Sequence, residues 1–409
     1  MSAGADRRLD LVVYGATSFV GQILCRRLVE RQGLDGPFRW AIAGRDRTKL
    51  DRVAAETGAD VERIVADASD VDALRSMADS TRVVVSTVGP YALYGSDLVA
   101  AVAEAGTDYC DLTGETQWMR RMIDAHSEAA RSSGARLVHA CGFDSIPSDL
   151  GVWHLQQQAL EQFETPCVKV SMRVAAMRGG ASGGTVASMM NLMEEMSADP
   201  ALRKLLADPY ALAPPDMRSG PEQPDIVRPR NDEVSGEWVA PFVMAAVNTR
   251  VVHRTHALLG RPWGAEFTYD EAMLTGAGPL GAAKAGGLSA AMAAGMGATA
   301  LGPARRALSR YVLPKPGEGP SQQAQEKGSF ELRFFGSTAD GRTLRTRVTG
   351  DRDPGYGGTA RMLAEAATVL VETGPDQLEG GFWTPAAAFG DRLVDRLGAH
   401  AGIHFEVVA

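Results

Sequence analysis

Six short apolar runs, each followed by a stretch with apolar residues at helical spacing, fill the first 150 residues. The runs are Leu9–Tyr14, Trp40–Ala43, Glu62–Ala66, Arg82–Val88, Asp108–Leu112 and Arg136–Cys141. A strand that returns to its sheet through a helix lies parallel to its predecessor, and the crossover is right-handed. The alternation therefore predicts an α/β unit over residues 1–150, a Rossmann-type doubly wound parallel sheet.

The rhythm changes after residue 150. Val168–Ala176 reads as a strand, and Gly183–Met196 as a helix with methionines at approximate helical spacing (Met189, Met190, Met193 and Met196). Residues 205–241 are rich in proline and charge and read as a surface connection. Phe330–Phe335 and Leu344–Val348 flank Asp340-Gly341, a hairpin signal. These features predict a second α+β domain with antiparallel strands over residues 151–355. It includes an Ala/Gly-rich segment at 276–302, and a C-terminal helical segment over 356–409 packs back on the core. Methionine suits either an adaptable apolar tunnel or ordinary core.

Where the first strand meets the first helix the chain reads Gly15-Ala16-Thr17-Ser18-Phe19-Val20-Gly21. Unpaired amides and the positive end of the helix dipole suit a diphosphate there. Gly15 permits the tight turn and Gly21 lets the helix approach the sheet, while Ser18 stands where the middle glycine of the usual fingerprint would be. Its hydroxyl is a further candidate phosphate ligand. At the end of the second strand, Ala43-Gly44-Arg45, with Lys49 one turn on, replaces the acidic residue that would bond the ribose of NAD. A guanidinium suits a 2′-phosphate, so NADP(H) is the expected cofactor, although Asp46 leaves open that Arg45 and Lys49 are solvated helix-start residues. The fourth strand ends in Thr87-Val88-Gly89-Pro90, placed to pass under the nicotinamide half, with Tyr91 and Tyr94 expected to face the cleft. Asp111 and Glu115 are expected to cap the following helix, with ribose binding as the alternative.

The chain carries 42 Lys and Arg against 50 Asp and Glu, a net charge of −8, without the basic stripe of a nucleic-acid binder. Its 4 cysteines show no C-x-x-C spacing and Met1–Asp10 is polar, so the expected setting is the cytoplasm. No His, Cys and carboxylate cluster has metal-ligand spacing.

GATSFVG, AGR, STVGPY, DYCDLTGE and CGFDSIPSDLG (Cys141–Gly151), with LPKPGEGPS (Leu313–Ser321) and GDRDPGY (Gly350–Tyr356) downstream, resemble the saccharopine dehydrogenase-like oxidoreductases. Within that group the chain is most similar to the trans-acting enoyl reductases of mycobacterial lipid synthesis. The resemblance implies an NADP-dependent reductase of a carrier-bound enoyl chain, with a carrier protein or polyketide synthase as partner. It implies that Gly15, Thr17, Ser18, Phe19, Val20 and Gly21 hold the diphosphate, Arg45 the 2′-phosphate, and Thr87, Val88, Gly89 and Pro90 the nicotinamide half. It does not fix a proton donor.

Tyr91, Asp144 and Ser145 are the catalytic candidates. Asp144-Ser145 follows the sixth strand at its carboxyl edge, and the alternative there is a helix cap ahead of Ile146-Pro147. His126 and His139 read as structural, and His253 and His256 as a solvated helix face. Residues 276–302 are too weakly apolar to span a bilayer and suit a buried helix, a dimer seam or, with Arg305, Arg306 and Arg310, a peripheral membrane contact. A homo-oligomer is expected. Two other readings stand beside the enoyl reductase: a saccharopine-type dehydrogenase acting on a C–N bond, and a catalytically silent lipid-binding homologue.

Overall fold

The computed structural model describes residues 7–179, 183–199, 201–300, 319 and 321–408. The six predicted strands are present as β1 (Leu9–Tyr14), β2 (Trp40–Gly44), β3 (Glu62–Val65), β4 (Thr81–Ser86), β5 (Asp108–Asp111) and β6 (Arg136–Val138). Between them run helices α1 (Phe19–Gln32), α2 (Arg47–Thr57), α3 (Val71–Ser80), α4 (Tyr91–Tyr94), α5 (Ser96–Ala105) and α6 (Thr116–Ser133). With β13 (Gly381–Trp383) at one edge, the strand order is β13-β6-β5-β4-β1-β2-β3, and every pairing is parallel. β1 and β4 read as unbroken apolar runs because helices cover both faces of the sheet. β13 comes from far down the chain and is too short for any pattern to announce it.

Helix α7 (Ile146–Phe163) leads from β6 to the second sheet. That sheet collects β7 (Cys167–Arg178), β8 (Arg230–Asn231), β9 (Trp238–Pro241), β10 (Thr268–Gly276), the hairpin β11 (Ser329–Thr338) and β12 (Thr343–Gly350), and β14 (Ile403–Val408). Its order is β14-β12-β11-β7-β10-β9-β8, with only β7 and β10 parallel. The hairpin falls where Asp340-Gly341 placed it. The proline-rich stretch is less of a surface connection than it reads, because it holds β8 and β9 and buries Ala211, Leu212 and Ala213.

The remaining helices are α8 (Gly183–Ala198), α9 (Ala201–Ala207), α10 (Ala245–Leu258), α11 (Gly278–Ala300), α12 (Gln322–Glu326), α13 (Thr359–Glu372), α14 (Pro385–Phe389) and α15 (Asp391–Arg396). Helix α13 is apolar nearly all round and buries 12 of its 14 residues. It packs on α1 and on β4 and β5, so one helix from the end of the chain closes a face of the first sheet. Its one central charge, Glu365, is met by Arg396 at 3.0 Å. Among the described residues no helix is long and apolar enough to cross a membrane. Arg305, Arg306, Arg310 and most of the 313–321 motif lie outside the described residues.

A polar network joins α7, α10 and β10 inside the apolar interior. Asn248 donates to Ser148 Oγ at 3.1 Å and to Glu271 Oε2 at 2.9 Å, and it accepts from Ser145 Oγ at 3.1 Å. Tyr269 donates to the other Glu271 oxygen at 2.7 Å. No cation pairs with Glu271 among the described residues, and burial pushes its carboxyl from 4.5 up to about 7. The folded protein therefore keeps a proton that the unfolded chain releases above its lower pKa. Stability from this group is complete below that lower value and is lost as pH rises to about 7. Glu271→Gln should accordingly gain stability relative to the natural chain as pH rises, read as urea midpoints at the two ends of that window. A difference independent of pH would contradict the assignment.

Candidate active site

The carboxyl ends of β1 and β4 meet where the sheet order reverses, the place at which open α/β sheets bind ligands. Gly15 has φ +87°, and a Cβ there would come within 2.7 Å of Val88 Cγ2 and 2.8 Å of Thr87 Oγ1. A Cβ on Gly21 would overlap the Gly15 carbonyl oxygen. The loop is thus as close to its neighbours as backbone allows.

Ser18 caps α1. Its Oγ accepts from the Gly21 N–H at 2.9 Å and its proton goes to Thr87 Oγ1 at 2.8 Å, leaving the Thr87 proton for the Gly15 carbonyl at 2.9 Å. The Ser18 hydroxyl is therefore committed within the loop rather than offered to phosphate. Its amide is also taken, by Gly15 O at 2.8 Å. Among the described residues the amides of Thr17, Phe19 and Val20 have no protein acceptor. Those three suit the oxygens of a diphosphate.

At the end of β2, Asp46 caps α2 through the Lys49 amide at 3.0 Å, and neither Arg45 nor Lys49 has an ion-pair partner among the described residues. Both are exposed. Arg45 is close enough to Asp67 to reinforce the lowering that the Ser69 hydrogen bonds impose on that carboxyl. An exposed guanidinium after β2 and three amides without acceptors after the adjacent β1 fit a dinucleotide with a 2′-phosphate.

Tyr91 is turned away from the cleft, contrary to the expectation for it. It is 3% exposed, its OH donates to Ser86 O at 3.0 Å, and its ring lies against Trp118. Burial raises the phenol well above its usual range, with the negative Asp111 adding to the effect. Tyr91 locks the β4 loop to β5. Tyr94 is 46% exposed. Glu115 caps α4 instead of α6, accepting from the Tyr91 amide at 2.7 Å and the Ala92 amide at 2.9 Å. It also accepts from Ser188 Oγ on α8 at 2.7 Å, tying the methionine helix to the Gly89-Pro90 loop. Asp111 does not cap α6 either: it is fully buried, accepts from the amides of Thr113 and Ala140 at 3.1 Å, and pairs with His139 Nδ1 at 2.7 Å.

Ser145 is buried and donates to Asn248, so it supports the turn from behind. Asp144 differs from its neighbours. It is half-buried, has no hydrogen-bond or ion-pair partner among the described residues, and a Cβ built on Gly114 of the β5–α6 loop would lie 3.4 Å from its Oδ2. Burial alone lifts its carboxyl from 3.8 to about 6. Only Asp144, of the three catalytic candidates, combines access with an adjustable proton.

Met189, Met190, Met193 and Met196 on α8 are half-buried and belong to no core cluster among the described residues. The histidines of α10 are internal rather than solvated: His253 and His256 are 2% and 7% exposed, and burial lowers them to about 3 and about 4. The guanidiniums of that helix are engaged as well, Arg250 with Leu206 O and Arg254 with Leu212 O and Phe382 O.

Residues 11–138 match the saccharopine dehydrogenase NADP-binding domain. A trans-acting enoyl reductase of Mycobacterium tuberculosis is 40% identical over 410 residues, 96% of each chain, and one of Mycobacterium ulcerans is 39% identical over 97% of each. A further M. tuberculosis protein, provisionally named for the same activity, is 41% identical over 98% of this chain and 97% of its own. The chain belongs to the trans-acting enoyl reductase family. NADP(H) is its cofactor, and the residues at the switch point fit it. Among solved structures, the glutamate-forming saccharopine dehydrogenase of Saccharomyces cerevisiae shares the fold, with a TM-score of 0.54 and 12% identity over 98% of this chain and 100% of its own.

Replacing Arg45 by Ala should weaken NADPH binding about tenfold or more and NADH binding less than about twofold, measured by fluorescence titration. Equal losses would contradict a 2′-phosphate role.

Proposed function

We propose that the protein reduces the carbon–carbon double bond of an enoyl thioester carried by the acyl carrier of a polyketide synthase, with Asp144 as proton donor. The activity named for its relatives supports this reading, and the unpaired Asp144 carboxyl at the cleft carries it. When bound, NADPH supplies the hydride that adds to the β-carbon. In the reading, the amides of Thr17, Phe19 and Val20 fix the diphosphate, Arg45 selects the phosphorylated ribose, and Thr87, Val88, Gly89 and Pro90 flank the nicotinamide half. Asp144 delivers a proton to the α-carbon and regains one through its open face.

The half-buried methionines of α8, linked to this loop through Ser188 and Glu115, suit an acyl chain of variable shape. A substrate with several carboxylates would need convergent guanidiniums, whereas Arg250 and Arg254 of the second domain are held by backbone carbonyls. The C–N dehydrogenase reading is weaker for that reason.

NADPH oxidation with a 2-enoyl thioester, set against a keto acid plus an amine, tests the reaction class. Turnover with the second pair alone would overturn the proposal. Because the donor must be protonated, kcat/KM should fall as pH rises through about 6. Asp144→Asn should lower kcat by roughly 10²–10⁴ and leave the NADPH Kd nearly unchanged. A variant as active as the natural chain would remove Asp144 from the mechanism.

A further inference from the structure

The turn that presents Asp144 is gripped from outside its own sheet. Thr359, the first residue of α13, accepts from the Phe143 N–H at 3.0 Å and donates to the Pro354 carbonyl at 2.8 Å. The direction of both bonds is fixed, because an amide can only donate and a carbonyl can only accept. Its methyl lies against the turn as well: a Cβ built on Gly142 would be 3.3 Å from Thr359 Cγ2 and 3.2 Å from Leu112 Cβ. Thr359 is 6% exposed and Phe143 is 8% exposed, so water is a poor substitute for the hydroxyl.

The segment just before Thr359 reaches the other half of the site. Pro354–Gly358 forms a π-helical turn, anchored by Asp353 accepting from the Tyr356 amide at 2.9 Å. The Tyr356 ring meets the edge of Phe19 in the dinucleotide loop, with centroids 4.8 Å apart. One short stretch after β12, within the GDRDPGY motif and its continuation, thus touches both the loop assigned to the diphosphate and the turn assigned to the proton.

We propose that Thr359 is a positioning residue: its hydroxyl, held by the Pro354 carbonyl, pins the Phe143 amide and so sets the Asp144 carboxyl against the cofactor loop. This rests on Asp144 being the proton donor. Without the hydroxyl the Phe143 N–H is a buried donor with no acceptor, and the Gly142–Phe143 peptide that carries it relieves that by rotating. That rotation also turns the Gly142 carbonyl away from the Ser145 and Ile146 amides it accepts from at 3.2 and 2.9 Å, which loosens the turn that carries Asp144, and misplacing a reacting group by about 1 Å can cost as much as 10² in rate.

The test is Thr359→Val, which keeps the shape and the methyl contact but loses both hydrogen bonds, beside Thr359→Ser, which keeps the hydroxyl. With NADPH and an enoyl thioester, Thr359→Val should lower kcat by roughly 10- to 100-fold. It should change the NADPH Kd by less than about threefold, shift the Asp144 limb of the pH profile, and be rescued in Thr359→Ser. A folded Thr359→Val enzyme with natural kcat and pH limb overturns the proposal, as does one that loses only thermal stability, or a serine variant no better than valine. If the valine variant does not fold, Thr359→Cys takes its place, since a thiol holds an amide more weakly at similar volume. An intermediate loss of kcat supports the role, and natural kcat refutes it. Asp144→Asn run in parallel separates the two levels. Full activity there removes the donor reading and this inference together, whereas a crippled Asp144→Asn beside an unaffected Thr359→Val removes this inference alone.

Discussion

The Thr87 side chain holds the first and fourth strands together at the point where the sheet reverses its order. Its amide bonds the Tyr14 carbonyl at 2.9 Å, its hydroxyl bonds the Gly15 carbonyl at 2.9 Å, and the same oxygen receives the Ser18 proton at 2.8 Å. Three groups that could have competed for a ligand satisfy one another. The amides of Thr17, Phe19 and Val20 are left over at the positive end of α1. The site is built by elimination: what the loop does not need for itself is what a dinucleotide can use. Close contact between Gly15 and the Thr87-Val88 backbone makes this possible, and a side chain at residue 15 would separate the two strands.

Elements that follow β7 in the chain hold the β6–α7 turn. Asn248 grips it through Ser145, Thr359 grips it through Phe143, and the aromatic pair Phe143–Phe330 packs it on the hairpin, with ring centroids 4.9 Å apart. Asp144 is the exception in a densely bonded neighbourhood. The Phe143 amide and the Ser145 hydroxyl on either side of it are paired, while its carboxyl has no partner among the described residues and responds to burial alone. An unpaired acid in such surroundings is costly to the fold, which is why it reads as chemistry rather than packing.

Much of the first sheet was legible because its signals are local. Apolar runs of strand length, the glycine at each end of the first loop and a cation in place of an acid after β2 each act within a few residues. The Asp340-Gly341 hairpin belongs to the same class. Less legible were features set by partners distant in sequence. Tyr91 stands next to the cleft in the chain, but the Ser86 carbonyl and Trp118 turn it inward. Glu115 looks like a cap for α6 and instead caps α4, because the β4 and β5 loops lie side by side. Strands β8 and β13 have two and three residues, too few to show a period. Helix α13 is buried nearly all round, against α1, β4, β5 and α15, a setting that only the packed chain creates. Asn248 and Thr359 carried no signal of their own, since a polar residue in a helix reads as solvated until the structure shows what it reaches.

A crystal structure with NADPH and a non-reducible acyl thioester bound tests the central claim most directly. The account requires the diphosphate over the amides of Thr17, Phe19 and Val20, the 2′-phosphate on Arg45, and the Asp144 carboxyl facing the thioester α-carbon across the nicotinamide. A dinucleotide bound elsewhere, or an acyl group whose α-carbon lies beyond reach of Asp144, would contradict it.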